Sequence, residues 1–596
     1  MSFSSYPISL NFENYIWRQL SHLYNENFET LDHKTILKQL KLCIQLMELH
    51  EENPFKIRSY QGALNSLERG DQDLTELSDK ALGEIPGVGK SIIEAIQSIK
   101  STGTFPTLNE LIDKTPAGIL EILQIKGLGP KKVKTLWDEL GITSTHELME
   151  ACQSGKVAQI KGFGEKTQES IMQNLIFKAS NAGKWLFADI EDAVELLEST
   201  LQQLLVHAKV AVVGDFARKM EIISEVEFLI GSDVLPDLKS HLSTFEPMEW
   251  NWPLSGPMTW RGKLREPELQ VKIHFSPGSD FIWKKLSLEA SKAHLLSLAD
   301  EKETIAEKIQ KKDFTSEEEF FEKNQLQFIP IEMREGGNET LLARENKIPV
   351  LLQDADLKGI LHNHSTYSDG KHSLRQMAEH CKALGYEYLG ISDHSRTASY
   401  AGGLEIEKVL KQHQEIDELN QELAPFRIFK GIESDILGDG SLDYPEEILA
   451  SFDFIVSSVH SILNMDQKRA TERLIRAISN PYTTILGHPT GRLLLRREGY
   501  PIDHKAVIDA CAAHGVVIEI NANPWRLDLD WRWVRYAMEQ GVKLAINPDA
   551  HEMDGYADMK YGVLVGRKGG LTKEMTLNAL SGDEIASYFA SRKSRI

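Results

Sequence analysis

Cysteine is scarce in this chain. The four present (Cys43, Cys152, Cys381 and Cys511) are scattered, with no CxxC pair. That excludes a disulfide framework or a zinc ribbon and reads as reduced thiols. No apolar run is long enough to span a bilayer, and no charged start leads into a short apolar core and small-residue cleavage site. The expectation is a cytoplasmic protein without a membrane partner. Positive charge is in deficit too, with 67 Lys and Arg against 88 Asp and Glu, a net charge of -21. Such a balance argues against indiscriminate coating of a polyanion but leaves local contacts open, and acidic metal ligands contribute to it. At 596 residues several domains are expected, each able to bury a core.

What is abundant is metal-ligand chemistry near the C-terminus. The segments LHNHSTYSDG, LGISDHS, FKGIESDI, IVSSVHS, TILGHPTG and LAINPDAH each place ligand side chains at the end of an apolar run, beside a turn. In order these are His362, His364, Asp369, His394, Glu433, His460, His488, Asp549 and His551. Imidazoles and carboxylates delivered by successive strands suit a cluster of borderline or hard divalent cations, as metal-assisted phosphate-ester cleavage requires. Alone, His460 reads as a core histidine and Asp369 as a turn aspartate. It is the nine in register that point to a metal cluster. His372, His380, His413, His504 and His514 fall outside the motifs and read as surface or core residues. Arg492 directly follows a ligand turn, and two readings stand for it: a clamp on phosphate oxygens, or a helix-surface residue. Asn521 and Asn523 are weaker candidates for contacts around the site.

Between 349 and 596, short apolar strands alternate with amphipathic helices, which predicts parallel strands closed into a barrel. Active sites in such barrels gather at the C-terminal strand ends, where these ligands fall. Residues 184–275 read as mixed α/β, with a helix around 189–206 and strands in HAKVAVVGD, EVEFLIG and LQVKIHFS, and 276–348 as helical and charged. Residues 33–178 read as short helices separated by glycine turns, and 1–32 show no clear periodicity.

Within 33–178 a single element recurs three times: IPGVGKS at 85–91, IKGLGPK at 125–131 and IKGFGEK at 160–166. Gly87 and Gly89, Gly127 and Gly129, and Gly162 and Gly164 let the backbone approach a neighbour closely. The following helix offers free N–H groups to a phosphate oxygen, with Lys90, Lys131, Lys132 or Lys166 adding charge. Such contacts fix a protein on nucleic acid without reading sequence. The competing reading is plain glycine capping in a helical bundle, which threefold repetition disfavours. Over 85–175 ten Lys balance ten Asp or Glu, so this stretch is neutral inside an acidic chain.

These copies are similar to helix-hairpin-helix motifs. With ENPFKIRSYQGA at 52–63 upstream, they resemble the N-terminal and fingers regions of a family X DNA polymerase, and the likeness runs on through 184–340. Bacterial members carry a C-terminal PHP domain, which the nine ligands resemble without a missing position. The resemblance implies a multidomain chain with a helix-hairpin-helix domain at 33–105 after an extension at 1–32, and a fingers-like helix-hairpin-helix domain at 106–180. A palm-like domain at 181–285, a thumb-like domain and linker at 286–348, and an α/β PHP barrel of seven distorted strands at 349–596 would follow. It also implies three divalent ions (manganese, zinc or iron). His362, His364, Glu433 and Asp549 would hold one; Glu433 would bridge to a second, shared with His460 and His488; Asp369, His394 and His551 would hold the third.

The polymerase centre departs from the family pattern. Two strand aspartates are replaced by Glu225 and Glu227, and the third, on the neighbouring strand, by Lys272. Glu keeps the charge but shifts its oxygens by a methylene, away from a geometry that magnesium holds tightly. An ammonium at 272 repels a metal ion and pairs with Glu225 or Glu227 instead. Taken alone, Glu225 and Glu227 also fit a solvated strand face. The nucleotide-phosphate element reads Gly214-Asp215-Phe216-Ala217-Arg218, the nucleotide-seating element Glu289-Ala290-Ser291, and the lyase lysine position Ala95. Magnesium at the palm is therefore doubtful.

The reading from sequence is a monomeric DNA-directed phosphodiesterase working on 3′ ends or gaps independently of sequence, with Glu433, His460 and Arg492 closest to the chemistry. Three alternatives stand beside it: a repair polymerase that tolerates its altered palm, a small-molecule phosphatase of the histidinol-phosphate type, and a DNA-end adaptor with a structural metal site.

Overall fold

The computed structural model describes residues 33–68, 73–125 and 127–594, so the extension at 1–32 lies outside the described residues. The chain divides into two compact units after Ala182. Among the described residues no helix is long and apolar enough to cross a membrane. All four cysteines are buried and unpaired.

Among the described residues the first unit contains helices and no strands. Its helices are short because glycine and proline stop them, and each buries one apolar stripe. In the helix Lys90–Thr102 the stripe is Ile92, Ala95, Ile96 and Ile99, at the spacing that repeats on one helix face. Ala95 is thus a core residue. Left-handed Gly103 ends that helix, taking a conformation that costs glycine little.

The second unit starts with β1 (Trp185–Leu186) and the helix Phe187–Leu204, then a mixed sheet. The sheet contains β2 (Lys209–Val213), β4 (Val226–Gly231), β5 (Met248–Trp250), β6 (Thr259–Leu264) and β7 (Gln270–Ser276), in the order β2-β4-β7-β6-β5. A two-residue strand β3 (Ile222–Ile223) pairs with β1. Only β4 and β7 run parallel. Alternation along these strands turns Val226, Phe228 and Ile230 with Val271, Ile273 and Phe275 into one core. Glu227, Lys272 and His274 are left on the opposite face. Short helices between Phe281 and Arg344 follow, with a small core of their own that includes Phe320, Phe321 and Ile329.

The rest is a barrel of seven parallel strands: β8 (Gly359–Ile360), β9 (Tyr388–Ile391), β10 (Arg427–Asp435), β11 (Phe454–Ser458), β12 (Ile485–Leu486), β13 (Val517–Asn521) and β14 (Leu544–Asn547). Neighbours in the barrel are neighbours in sequence, joined by crossovers that are mostly helical, as parallel pairing demands. The two edges meet through a single parallel bridge, Asn363 with Ala550, where His364 N–H donates to Ala550 O at 2.8 Å and Asp549 N–H to His362 O at 3.1 Å. This is the distorted seven-stranded barrel that the sequence predicts.

Its lower mouth is filled by Tyr388, Phe429 and Phe454 from the strand starts and closed by the helix Gly582–Lys593, whose Phe589 stacks on Phe454 at 5.3 Å. Gly390 and Gly431 have no side chain because a Cβ on either would strike the Phe454 ring. With that end packed, the opposite end is left for chemistry.

Candidate metal centre

Six of the seven strands deliver a predicted ligand to the upper mouth. His362 and His364 follow β8, His394 follows β9, Glu433 lies within β10, His460 follows β11, His488 follows β12, and Asp549 and His551 follow β14. Asp369 comes from the turn after His364, where Gly370 admits no Cβ because His364 O lies against it. The structure brings all nine together.

Glu433 is the hub. Its Oε1 lies 3.0 Å from His488 Nε2, 3.2 Å from His460 Nε2 and 3.3 Å from His362 Nε2, and its Oε2 lies 2.8 Å from His394 Nδ1. Asp549 Oδ1 meets His364 Nε2 at 3.0 Å, and Asp369 Oδ1 meets His551 Nε2 at 3.3 Å and His394 Nε2 at 3.6 Å. Three groups have donor atoms close enough to share an ion: His364, Asp369, His394 and His551; His362, His364 and Asp549; and His394, Glu433 and His460. They cut across the grouping that the resemblance implies, because His364 and His394 each face two sets. The donors fit divalent ions by a second test. His362 Nε2, His394 Nδ1 and Glu433 Oε2 are buried without a hydrogen-bond partner. Close but misaligned polar atoms in a dry cleft are what a cation would satisfy.

β13 carries no predicted ligand, yet it supplies Glu519, which sequence reasoning misses. This fully buried carboxylate takes His362 Nδ1 at 2.7 Å and the His488 N–H at 2.8 Å. Asp435, two residues beyond Glu433 on the same strand face, takes His460 Nδ1 at 2.6 Å and Thr397 Oγ1 at 2.7 Å. Asp393 accepts Ser365 N–H at 2.8 Å and Ser368 N–H at 3.2 Å, and so holds the turn that carries Asp369. Carboxylates behind imidazoles fix ring orientation and tautomer.

The charge balance follows from these contacts. Burial alone would lower the His460 pKa, but Glu433 and Asp435 override it and push it to about 10. Burial is likewise overridden at His551, which Asp369 and Asp549 lift to about 9, and at His362, which Glu519, Asp549 and Glu433 hold well above its ordinary value. His364 goes the other way, to about 3, through burial and the neighbouring His551 and His394. Glu433 stays ionised despite burial because His460, His362 and His394 surround it.

Arg492 is not brought to the cluster. Its guanidinium donates to Asp530 Oδ2 at 2.6 Å, to Arg526 O at 2.8 Å and to Leu527 O, so it ties down a loop. The guanidinium that does reach the cluster is Arg526, with Nε 3.3 Å from Asp549 Oδ2. Asn521 Nδ2 also reaches Asp549 Oδ2, at 3.2 Å, while Asn523 shapes the turn that carries Arg526. Three of the five histidines outside the motifs pack elsewhere: His380 on Tyr556, His413 on Phe452 and His504 on Trp533.

At the mixed sheet the register sets Glu227 opposite Lys272, and Lys272 opposite Arg261. Lys272 Nζ lies 2.8 Å from Glu227 Oε2 and 3.6 Å from Glu225 Oε2, and His274 Nε2 lies 2.7 Å from Glu227 Oε2. Arg261 Nε lies 3.8 Å from Glu225 Oε1. Both carboxylates already face basic partners. Arg218 is buried and ion-paired to Asp215 and to Glu335, the latter at 3.0 Å. Glu289 is buried against Lys285 at 2.8 Å, and Ser291 caps a helix.

In the glycine hairpins Gly87, Gly127 and Gly162 all take left-handed φ, at 83°, 87° and 93°. The helices Lys90–Thr102, Pro130–Leu140 and Gly164–Asn181 then start without a side-chain cap. Ser78, Ser144 and Thr304 cap their helices, while Pro106–Asp113 and Ala117–Leu123 also start without a side-chain cap. The uncapped N–H groups suit an external acceptor. Lys90, Lys131 and Lys166 are exposed beside them. The third copy differs, because Gly164 is itself left-handed and opens its helix, whereas Gly89 and Gly129 are extended.

Three family models match the chain: a helix-hairpin-helix domain at 32–105, a SAM-like helix-hairpin-helix tandem at 119–175 and a PHP domain at 361–523. The "DNA polymerase/3'-5' exonuclease PolX" of Bacillus subtilis (strain 168) is 34% identical over 568 residues, covering 93% of this chain and 99% of that protein. A probable phosphatase of Thermoanaerobacter sp. (strain X514) is 28% identical over 253 residues, covering 40% of this chain and 98% of that protein. A ternary complex of Leishmania infantum polymerase beta aligns at 17% identity and a TM-score of 0.22, covering 37% of this chain and 98% of that one.

Proposed function

The chain belongs to the family X DNA polymerases that carry a C-terminal PHP domain, and on that footing we propose that it is a DNA-directed, metal-dependent phosphodiesterase whose polymerase centre is silent. The observation that carries this reading is a contrast within one chain. Eight candidate ligand side chains gather around Glu433, the ninth, with several buried ligand atoms left without a hydrogen-bond partner, whereas the palm carboxylates Glu225 and Glu227 face Lys272, His274 and Arg261. The relative from Bacillus subtilis is named for both polymerase and 3'-5' exonuclease activity. The exonuclease half is the one whose machinery this chain keeps.

The nine residues would hold up to three divalent ions, of which manganese, zinc and iron suit mixed imidazole and carboxylate ligands. Bound there, such ions supply positive charge against the ester and activate water for attack. The chain's own groups do the rest. Glu433 holds the two halves of the cluster together, and His460 is kept in one orientation by Asp435. Arg526, rather than Arg492, is placed to grip a phosphate oxygen, since a guanidinium offers two parallel donors. The uncapped hairpin helices would hold the DNA backbone without reading sequence.

The test is purified protein with manganese and an end-labelled gapped duplex, with and without deoxynucleotides. Shortening of the primer in both is expected. Lengthening with deoxynucleotides would favour a working polymerase, and hydrolysis of p-nitrophenyl phosphate but not DNA would favour the phosphatase reading.

Two further results are expected. Changing Glu519 to Gln leaves the ligands in place but removes the charge behind His362, so manganese affinity should fall roughly 10- to 100-fold by equilibrium dialysis. An unchanged affinity would make Glu519 a packing residue. Metal loading should also expel protons, because His460 and His551 hold theirs up to about 10 and about 9 in the metal-free protein. Neutral imidazoles are the ligands, so affinity should rise from pH 6 to pH 9, with proton release visible as a buffer-dependent heat in calorimetry.

A further inference from the structure

One largely exposed aromatic stands beside the candidate metal centre. Tyr400 is 71% exposed, yet its ring centroid lies 6.2 Å from that of His394, at 55°. His394 is itself stacked on His364 at 4.3 Å and meets His460 edge-on at 5.1 Å. The turn that carries Tyr400 is firmly held without it. Ala398, Ala401 and Leu404 are its buried anchors. Ala398 N–H donates to Ser395 O at 3.0 Å, Leu404 N–H to His394 O at 2.9 Å and Thr397 N–H to Asp443 Oδ2 at 2.7 Å. Thr397 Oγ1 binds the same Asp435 that orients His460, so the turn and the ligand share one support. Gly403 allows the tight return, since a Cβ there would strike Ser395 O.

A rigid turn that presents an aromatic face to solvent gains nothing from it in the folded chain alone. Every nucleobase has a face that stacks on such a ring whatever its sequence, and a small phosphate ester has none. We propose that Tyr400 is the stacking platform for the terminal base of the DNA strand whose phosphodiester lies at the Glu433 cluster, and so selects nucleotide substrates over other phosphate esters. This rests on the phosphodiesterase reading for its DNA substrate, but the nucleotide preference is measurable without it.

The probes are thymidine 5'-monophosphate and inorganic phosphate, titrated into the full chain with manganese. The nucleotide should bind about tenfold more tightly, in the range of one base stacking on an aromatic ring. Tyr400→Ala should erase that preference while phosphate affinity stays unchanged, and Tyr400→Phe should keep it. The same alanine variant should raise KM for an oligonucleotide. Equal affinity for the two probes in the wild type, or a preference that survives Tyr400→Ala, overturns the proposal. A Tyr400-dependent preference in a protein that leaves DNA intact supports the nucleotide platform and removes the nuclease reading instead.

Discussion

Replacing His460 with alanine is expected to lower manganese-dependent hydrolysis of DNA by about three orders of magnitude, as when one member of a group acting as a unit is deleted. The ring sits where two supports converge, with Nε2 at 3.2 Å from Glu433 and Nδ1 at 2.6 Å from Asp435. Alanine removes a proposed ligand and takes one imidazole partner from each of the two carboxylates. DNA binding should be retained, because the uncapped hairpin helices belong to the other compact unit. The decisive pair of measurements is exonuclease rate on a labelled 3' end and filter binding of the same DNA. Degradation at the wild-type rate would remove His460 from the metal centre.

The second large effect concerns stability, and its sign is diagnostic. In a palm that binds two metal ions, carboxylates crowd together and repel when the ions are absent, so deleting one is neutral or stabilising. Here Glu227 lies between Lys272 and His274, and its loss leaves two basic groups facing each other on the sheet. Burial would raise the Glu227 pKa, but the hydrogen bonds from His274 and Lys272 hold it at about 2, against 4.5 for a free glutamate. That difference corresponds to about 3 kcal/mol at neutral pH. Because the folded-state value is depressed, the stabilisation is present above pH 4.5 and is lost as pH falls through about 2. Glu227→Ala should therefore lower the thermal midpoint at pH 7, while primer extension with manganese stays at background before and after the change. A stabilised variant, or templated synthesis abolished by the substitution, would mean that the palm works as a metal site.

The barrel and most of the residues gathered at its upper mouth are legible in sequence because they fall at or near the ends of apolar runs, a pattern that strand geometry imposes on a parallel barrel. The supports are not. Glu519 and Asp393 read as ordinary strand and turn residues, and only pairing across the barrel sets Glu519 beneath His362. Asp435 is within reach of sequence reasoning, since two residues along a strand return to the same face as Glu433. Closeness in sequence to His488 favours Arg492, but its side chain is drawn to Asp530. Arg526 reaches Asp549 only because the loop after β13 folds back. In the mixed sheet, the hairpin of β5 and β6 is hidden because its tryptophans and prolines give no clean alternation. The pairing of Lys272 with the glutamates is readable from neighbouring strands and is what the register shows.

The barrel seam has a consequence for synthesis. His364 and Asp549 meet although 185 residues separate them, and the seam between their strands is a single bridge. Contacts of such long range form late, since loop closure must precede them. A chain still emerging from the ribosome displays its glycine hairpins long before Asp549 and His551 exist. Until the last strand docks, the growing protein carries its glycine hairpins without an assembled cluster around Glu433.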